Sequence, residues 1–341
     1  RRVAQGGGRA GELRAVLAAH LPPVRMAFAY GSAVFQQAGA AGPPALTDFV
    51  LAVENGEEWH RENIARNPRH YGGPLAVLPL PSAARAAHCL QDRVPAHALF
   101  LPDVTLGSQR VKYGVIDEHR LIDDLTEWRT LYISGRMHKP VLILEEGGEA
   151  LQRAQERNLR QALACALLRI GWGTSGRGDN GASKGEEQRV VNGENATETT
   201  LKQLYVELTG LSYAGDVRMS VGAENPRKVL NIVEANEGHF DAWYRAPLEH
   251  MESAGHCIVD WERRTVEISA AAKVSLLSLL PSSVSLSSNF DSESPDPLPA
   301  IAAIVKAASW KQAAKGPIVA GPLRSLAYVW RKLRKGIFAA R

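Results

Sequence analysis

The sequence has few cysteines and no long apolar run. Its three cysteines, Cys89, Cys165 and Cys257, are far apart and lack any C-x-x-C spacing. Neither a disulfide framework nor a zinc site is therefore predicted, and a reducing compartment is favoured. No segment reaches the roughly 18 consecutive apolar residues that a membrane-spanning helix requires, so any membrane contact is expected to be peripheral.

Two common catalytic signatures are also missing. Gly6-Gly7-Gly8 follows no predicted strand and precedes no Gly-Lys-Ser, which excludes a phosphate loop. No Ser-His-Asp or Cys-His arrangement is recognisable, so no activated nucleophile is predicted. A net charge of +4 permits an anionic partner without selecting one. With 341 residues, of which 45% are hydrophobic, the chain is long enough for two domains.

Hydrophobic periodicity predicts an α/β unit in the first part of the chain. Strands are predicted where short runs rich in apolar residues end in small or polar residues, and helices where apolar residues recur every three or four positions. The predicted strands are 24–30, 46–53 and 110–116, and the predicted helices are 12–20, 57–67 and 120–132. The sheet is therefore expected to contain at least three strands.

The second part of the chain is predicted to be mainly helical, with helical patterns over 149–170, 201–211 and 225–235. Between them, 171–200 is rich in Gly, Ser, Asn and charge, which predicts a disordered insertion. Segment 277–299 is rich in Ser and Pro and is interpreted as a surface linker. The predicted domains are thus 1–147, 148–276 with the insertion, the linker 277–299, and a C-terminal segment 300–341.

One constellation in the α/β unit suggests chemistry. Tyr30-Gly31-Ser32 ends a strand, where Gly31 lets the backbone approach a phosphate and Ser32 donates hydrogen bonds. Asp48 interrupts the next apolar run, and a carboxylate in such a place requires a cation or donor as partner. It would suit a magnesium ion. The alternative is an ordinary strand-end turn beside a surface aspartate.

Several blocks of sequence, in a fixed order, resemble one known family. They are Phe28-Ala-Tyr-Gly-Ser-Ala-Val-Phe-Gln-Gln37, Asp48-Phe-Val-Leu-Ala-Val53, Trp59-His60 with Asn63, Asn67 and His70-Tyr71, Val111-Lys-Tyr-Gly-Val-Ile116, Ser134-Gly-Arg-Met-His-Lys-Pro-Val141, Leu211-Ser-Tyr-Ala-Gly-Asp-Val-Arg-Met219 with Lys228, and Lys315-Gly316 with Ala320-Gly321. The sequence resembles the mitochondrial translocator assembly and maintenance proteins, which act as CDP-diacylglycerol synthases.

The resemblance implies an α/β fold class, with a nucleotidyltransferase-fold domain, a mainly helical, winged-helix-like second domain and a C-terminal amphipathic helix. It implies an active site in the cleft between the domains, CTP and phosphatidic acid as substrates, and Mg2+ as cofactor. The products would be CDP-diacylglycerol, which feeds cardiolipin synthesis, and pyrophosphate. The implied location is the matrix side of the mitochondrial inner membrane, as a peripheral protein, with no nucleic-acid partner.

The resemblance also implies roles for single residues. Tyr30, Gly31 and Ser32 would cradle the phosphates of CTP, Asp48 would ligate Mg2+, and Lys112 would neutralise phosphate charge in the transition state. The superfamily usually has two carboxylates on the second strand, whereas Leu46 and Val50 flank Asp48 at those offsets. The second metal ligand is therefore sought elsewhere.

Candidates for that ligand are Asp216 and Glu54. Asp216 alternatively orients Arg218, and either Arg218 or Lys228 would bind phosphate. Further candidates, for positioning or hydrogen bonding, are His60, Asn63, His70, Tyr71, Tyr213 and Lys139. The spacing of His60 and His70 is not that of a zinc pair on one helix face.

From residue 321 onward the chain is basic and contains no acid, and apolar residues recur at helical spacing. This pattern is typical of a helix lying on an anionic membrane, and the alternative is a terminal helix docked on the core. The residues expected to contact the membrane are Leu323, Leu326, Trp330, Arg331, Lys332, Leu333 and Lys335.

Two other functions remain compatible with the sequence. One is a nucleotidyltransferase with a soluble acceptor, and the other is a non-catalytic, membrane-associated assembly factor. Intact Gly31, Ser32, Asp48 and Lys112 favour retained chemistry.

Overall fold

A five-stranded mixed sheet organises the first part of the protein. The structure, a computed structural model, describes residues 3–35, 46–172, 187–191, 194–216, 227–293 and 295–320. The elements up to residue 145 are α1 (Val3–His20), β1 (Met26–Tyr30), β2 (Thr47–Val53), α2 (Gly56–Arg66), α3 (Leu80–Asp92), β3 (Ala98–Leu106), β4 (Gln109–Asp117), α4 (Glu118–Glu127), α5 (Ser134–Met137) and β5 (Leu142–Glu145). The strand order is β3-β4-β2-β1-β5, and β2 and β4 are parallel whereas the other pairs are antiparallel.

The sheet is covered on both faces, and the alternation of side chains along each strand decides which residues go where. Phe28, Val50 and Ile116 face α4 and α6, where Leu121 and Leu125 also pack. The intervening residues, such as Phe49, Leu51 and Val115, face α1, α2 and α3. Because the side-chain period is two, Tyr30, Asp48 and Lys112 continue the first face at the ends of their strands. These three polar residues therefore lie at the strand ends, beyond the apolar residues that α4 and α6 cover.

Helix α4 ends earlier than the periodicity over 120–132 predicts. It stops at Glu127 because Trp128 adopts a left-handed conformation, with φ of 50°, and caps the helix. After Trp128 the chain does not continue the helix. Its backbone wraps around the buried carboxylate of Asp124 and donates hydrogen bonds to it. This turn leads into the short helix α5.

The second part of the chain combines helices with a small antiparallel sheet. Its elements are α6 (Glu149–Trp172), β6 (Glu187–Val191), β7 (Glu194–Thr200), α7 (Leu201–Leu211), α8 (Lys228–Ser253), β8 (Cys257–Asp260), β9 (Thr265–Ser269), α9 (Lys273–Ser278), α10 (Ser282–Ser285) and α11 (Leu298–Ala320). The strand order is β6-β7-β9-β8. The middle of α6 is buried within a cluster that includes stacked Tyr205, Phe240 and Tyr244.

Three expectations about this second part need correction. The disordered insertion predicted over 171–200 is wrong for 187–191 and 194–200, because β6 pairs with residues 194–198 of β7 and residues 196–200 of β7 pair with β9. Residues 173–186 lie outside the described residues. Segment 277–299 is not simply a surface linker, because Leu280 and Val284 are buried in the helical core.

The third correction concerns the segment 300–341 that was expected at a membrane surface. Ala300, Ile301 and Val305 are buried in the helical core, so the start of this segment is part of the fold. The residues expected to contact the membrane, Leu323, Leu326, Trp330, Arg331, Lys332, Leu333 and Lys335, lie outside the described residues.

The α/β fold class is confirmed at the level of a mixed five-stranded sheet accompanied by many helices. Among the described residues, each helix is too short or too polar to cross a bilayer.

Candidate active site

A cleft of about 590 Å³ opens between the ends of β1, β2 and β4 on one side and α8, α11 and the turn after α7 on the other. Residues from both parts of the chain line it. The cleft brings together nine of the site residues predicted from sequence, namely Tyr30, Gly31, Ser32, Asp48, Lys112, Lys139, Tyr213, Asp216 and Lys228. Residues far apart in sequence therefore share one cavity.

The floor of the cleft is built by strand register. Tyr30 lies opposite Asp48 on the antiparallel neighbour, and Asp48 lies beside Lys112 on the parallel neighbour. The ammonium Nζ of Lys112 lies 3.5 Å from Oδ1 of Asp48. Both side chains are partly exposed, at 21% and 29%, so the pair is accessible to a ligand.

The turn after β1 brings the backbone close to this carboxylate. Gly31 has φ of 82°, a conformation that favours glycine, and a Cβ added there would lie 3.6 Å from Oδ2 of Asp48. The backbone N–H groups of Val34 and Phe35 donate to the Gly31 carbonyl, which closes the turn. The exposed Ser32 hydroxyl and the Asp48 carboxylate therefore line the same cavity.

An aromatic ring supports Lys112 from β3. The Nζ atom lies 4.8 Å from the centroid of the Phe100 ring. Phe100 pairs across the strands with Gly114, where an added Cβ would lie 2.5 Å from the ring. Gly114 thus leaves room for Phe100 to pack flat, and the ring limits the conformations of Lys112.

Arg136, whose role was not recognised from sequence, also lines the cleft. Its guanidinium carbon lies 4.0 Å from the centroid of Tyr132, 5.4 Å from that of Tyr30 and 5.6 Å from that of Phe100. The guanidinium donates to the Tyr132 carbonyl, and no described carboxylate lies within ion-pair distance of it. A half-buried cation in this position is suited to an anionic ligand.

Asp124 fixes the turn that presents Arg136. Its carboxylate is 3% exposed and accepts six hydrogen bonds, at 2.8–3.2 Å. The donors are the N–H and hydroxyl groups of Thr130 and Ser134 and the N–H groups of Leu131 and Ile133. The only sequence signal for this role was one polar residue in an otherwise apolar stripe of α4.

The cleft also contains a second cationic group, around the ring of Tyr213. Nζ of Lys139 donates to the Gly135 carbonyl at 2.8 Å and to the Ser212 hydroxyl at 2.6 Å. The ammonium groups of Lys139 and Lys228 lie 5.1 Å and 5.5 Å from the centroid of Tyr213. Two positive charges therefore lie near one aromatic ring. These residues are far from Asp48 and Lys112 in the sequence, but they line the same cleft.

Four predicted site residues lie elsewhere, on the opposite face of the sheet. His60, Asn63, His70 and Tyr71 form a buried hydrogen-bonded network with Tyr113, the residue that follows Lys112. Burial lowers the pKa of His60 to about 4, so this imidazole is neutral near pH 7. The network supports the back of β4 and does not line the cleft.

The two remaining sequence candidates have different outcomes. Glu54 follows the far end of β2, roughly 20 Å from Asp48 along the strand, and is paired with Arg25. It is excluded as a ligand for an ion at Asp48. Arg218 lies outside the described residues.

The carboxylates that line the cleft are compatible with Mg2+ shared with a ligand. Among the described residues no cluster of three His, Cys, Asp or Glu side chains could hold a metal alone. Asp48 and Asp216 nevertheless line one cavity, and Mg2+ is commonly held by one or two carboxylates together with substrate phosphates. The carboxylates present therefore fit an ion that arrives with a polyphosphate.

Comparison with known proteins identifies the family. The family model described as "Phosphatidate cytidylyltransferase, mitochondrial" matches residues 13–172 and 194–297. Proteins of that name from Xenopus laevis and mouse are 33% and 31% identical, over 98% and 95% of this chain and 96% and 94% of their own. The Caenorhabditis elegans protein is 31% identical over 92% of this chain and 95% of its own. The chain belongs to the mitochondrial phosphatidate cytidylyltransferase family.

Proposed function

We propose that this protein transfers the cytidylyl group of CTP to phosphatidic acid, with Mg2+, in the cleft between its two parts. The observation that carries the proposal is the Asp48–Lys112 pair beside the Gly31-Ser32 turn, in one cavity with Arg136. The Asp48 carboxylate, the Ser32 hydroxyl and the two cationic side chains line one cavity, and this combination suits a triphosphate with its metal ion. Membership of the family supports the choice of phosphatidate as acceptor.

The architecture is consistent with this activity. A mixed sheet with a Gly-Ser turn after one strand and an aspartate on its neighbour is the arrangement expected of a nucleotidyltransferase fold. The β8–β9 hairpin packed among α6, α7 and α8 supports a winged-helix-like second domain. We therefore assign these two fold types to the two parts of the chain.

The triphosphate of CTP binds at the cleft floor. Ser32 donates its hydroxyl to a phosphate oxygen, and Lys112 and Arg136 supply positive charge. Asp48 would hold Mg2+, with Asp216 as the second protein ligand. The ion supplies charge neutralisation on the phosphates when it is bound. Burial raises the pKa of Tyr30, so its hydroxyl stays protonated and remains a donor.

The transfer itself is a displacement at phosphorus. An oxygen of the phosphatidate phosphate forms a bond to the α-phosphorus of CTP, while the bond from that phosphorus to the bridging oxygen breaks and pyrophosphate leaves. The attacking oxygen is already anionic near neutral pH, so no general base is required. Positioning and neutralisation by Lys112 and Arg136 then lower the barrier.

The second cationic group would receive the acceptor. Lys139 and Lys228 both lie near the ring of Tyr213 in the same cleft, and their charges suit the phosphate of phosphatidic acid. Two cationic groups in one cleft allow two anionic substrates to bind together despite their mutual repulsion.

The proposed location is the matrix side of the mitochondrial inner membrane, where the product would feed cardiolipin synthesis. The basic, acid-free sequence from residue 321 onward supports a peripheral attachment. Relatives are named as mitochondrial.

A direct assay tests the proposal. Radiolabelled CTP is incubated with phosphatidic acid, Mg2+ and the full chain, and the products are partitioned between organic and aqueous phases. Label in the lipid phase is expected. A water-soluble conjugate would favour a soluble acceptor, and no product under any condition would favour a non-catalytic assembly factor.

A further inference from the structure

An exposed apolar segment follows the short 3₁₀ turn at Gly73–Ala76 and ends at Leu80, the first residue of α3. Val77 is 83% exposed, Leu78 41% and Leu80 38%, and Pro79 separates the two leucines. Solvated loops of soluble domains are usually polar, so a run of apolar residues held in water requires a reason. We refer to residues 77–80 as the apolar loop.

The apolar loop is connected to the cleft by one helix. Val305 and Ser309 of α11 line the cleft, and the same helix packs on the 73–76 turn that precedes the loop. The 15 residues from Val305 to the end of α11 span roughly 22 Å, so the loop lies within about that distance of the cleft. Trp310, 67% exposed, lies on this helix next to Ser309.

The positive charge near these residues comes mainly from α11. Residues 63–91, which contain the apolar loop, include Arg66, Arg69 and Arg85 and no acid, but Arg66 pairs with Glu62 and Arg85 pairs with Glu57. Helix α11 (Leu298–Ala320) includes three lysines and no acid. Lys306 lies four residues before Trp310 and so shares its face of the helix. Exposed apolar residues beside a basic helix that contains no acid are suited to the interface of an anionic bilayer.

We propose that the apolar loop, together with Trp310, inserts shallowly into an anionic lipid bilayer and holds the cleft beside its lipid substrate. The proposal rests on the proposed function, because it explains how a cleft in a globular protein reaches phosphatidate without extracting it into water. It adds a contact within the folded domain to the one proposed for the residues after 320.

The test compares two matched double variants of the full chain. Val77→Asp/Leu78→Asp places two acids in the apolar loop. Val274→Asp/Leu286→Asp makes the same change at two other exposed residues, 77% and 84% exposed, whose sequence neighbours include Glu267, Asp291 and Glu293. Sedimentation is measured with vesicles of phosphatidylcholine and phosphatidic acid, and turnover is measured with those vesicles and with monomeric dihexanoyl phosphatidic acid.

For Val77→Asp/Leu78→Asp we expect vesicle affinity and turnover on vesicles to fall by about tenfold or more, because the apolar contact is lost. Turnover of the monomeric substrate should be unchanged, and the control variant should match the wild type in all three measurements. Wild-type sedimentation of the loop variant would overturn the proposal, as would equal loss in the control. Loss of turnover on the monomeric substrate would place the loop in the cleft and would equally contradict it.

The experiment distinguishes failure of the proposed function from failure of the proposed contact between the apolar loop and lipid. If the wild type makes no lipid product from either substrate, the proposed function fails, while the sedimentation comparison still decides whether the apolar loop contacts lipid.

Discussion

At the scale of single residues, Asp48 is the side chain on which the proposed chemistry depends most. In Asp48→Asn the side chain keeps its shape but loses the charge that would hold Mg2+ and face Lys112. We expect kcat to fall about a hundredfold or more, because a charged group acting on the transition state is removed. The measurement is steady-state turnover of CTP.

The fold should tolerate this change, since the Asp48 side chain is 29% exposed. Thermal unfolding of Asp48→Asn is therefore expected within a few degrees of the wild type. Full activity in this variant would show that the metal assignment is wrong.

Arg136 provides a second residue-scale prediction. Arg136→Lys keeps the charge but loses the planar guanidinium that stacks on Tyr132 and can bind phosphate with two hydrogen bonds. We expect KM for CTP to rise by about tenfold, with a smaller change in kcat. Arg153→Lys, in an exposed pair with Glu149, is the control and should leave both constants unchanged. An unaltered KM in Arg136→Lys would exclude Arg136 from the triphosphate site.

The residues of the cleft floor could be predicted from sequence because each lies on a strand or in the turn that directly follows one. Gly31 and Ser32 form a strand-end turn and Asp48 interrupts an apolar run, whereas the role of Lys112 is implied by the family resemblance. The position of His60 could not be predicted, because its partners Gln91 and Tyr71 come from separate elements. Sequence periodicity does not show which face of the sheet such a network occupies.

At the scale of elements, the turn from Trp128 to Ser134 depends on one carboxylate. In Asp124→Asn, one of the two acceptor oxygens becomes an NH2 donor that faces the N–H groups of this turn. We expect a loss of about 3 kcal/mol in the free energy of unfolding, because buried hydrogen bonds to a charged group are broken. Urea denaturation measures this quantity.

The neighbouring Asp123 supplies a matched control for this turn. It lies on the surface of α4 and pairs with Arg129 at 3.6 Å. Asp123→Asn should change the free energy of unfolding by no more than about 0.5 kcal/mol. Equal stability of the two variants would contradict the role given to Asp124.

The histidine network behind β4 predicts a pH dependence of stability. The pKa of His60 falls from 6.5 to about 4 on folding because of burial, so the unfolded chain binds more protons between these two values. The free energy of unfolding must therefore decrease as the pH falls through this window. For His60 alone we expect a loss of about 2 kcal/mol between pH 7 and pH 5.

A non-titrating variant isolates this contribution. His60→Gln should unfold with a smaller difference between pH 7 and pH 5 than the wild type, whereas His119→Gln, on the exposed side of α4, should keep the wild-type difference. An identical pH dependence in His60→Gln and wild type would show that the buried imidazole does not titrate on unfolding.

Strand β3 shows why some elements were not predicted. Pro102-Asp103 interrupts its apolar residues and indicates a break in a strand. The structure accommodates both residues because β3 is an edge strand whose register shifts between Leu101 and Val104, with φ of 54° at Asp103. Only the pairing with β4 reveals that the strand continues beyond the bulge.

At the scale of the whole molecule, the second part of the chain was harder to predict than the first. Leu280 and Val284 occur in a Ser- and Pro-rich segment whose composition indicates a linker, yet both are buried in the cluster to which α6 and α11 also contribute. Composition is a local property, whereas burial depends on which distant elements meet. The α/β unit was better predicted because its strands carry their own alternation.

The closure of the cleft depends on a close approach between the loop after α7 and α11. Gly215 has φ of 71°, and a Cβ added there would lie 2.3 Å from the Ala302 carbonyl oxygen. Gly215→Ala must therefore move the loop that carries Tyr213 and Asp216 away from the helix. We expect reduced stability together with at least a tenfold loss of turnover, because displacements of about 1 Å at a site cost that much or more.

Gly255 separates this packing effect from backbone strain. It has φ of 76°, almost the same as Gly215, but an added Cβ would meet nothing within 4 Å. Gly255→Ala should thus lose only the roughly 1–2 kcal/mol that a left-handed alanine costs, with turnover unchanged. If both variants lost the same stability and neither lost turnover, the contact between this loop and α11 would have no part in shaping the cleft, and the two walls would be positioned independently.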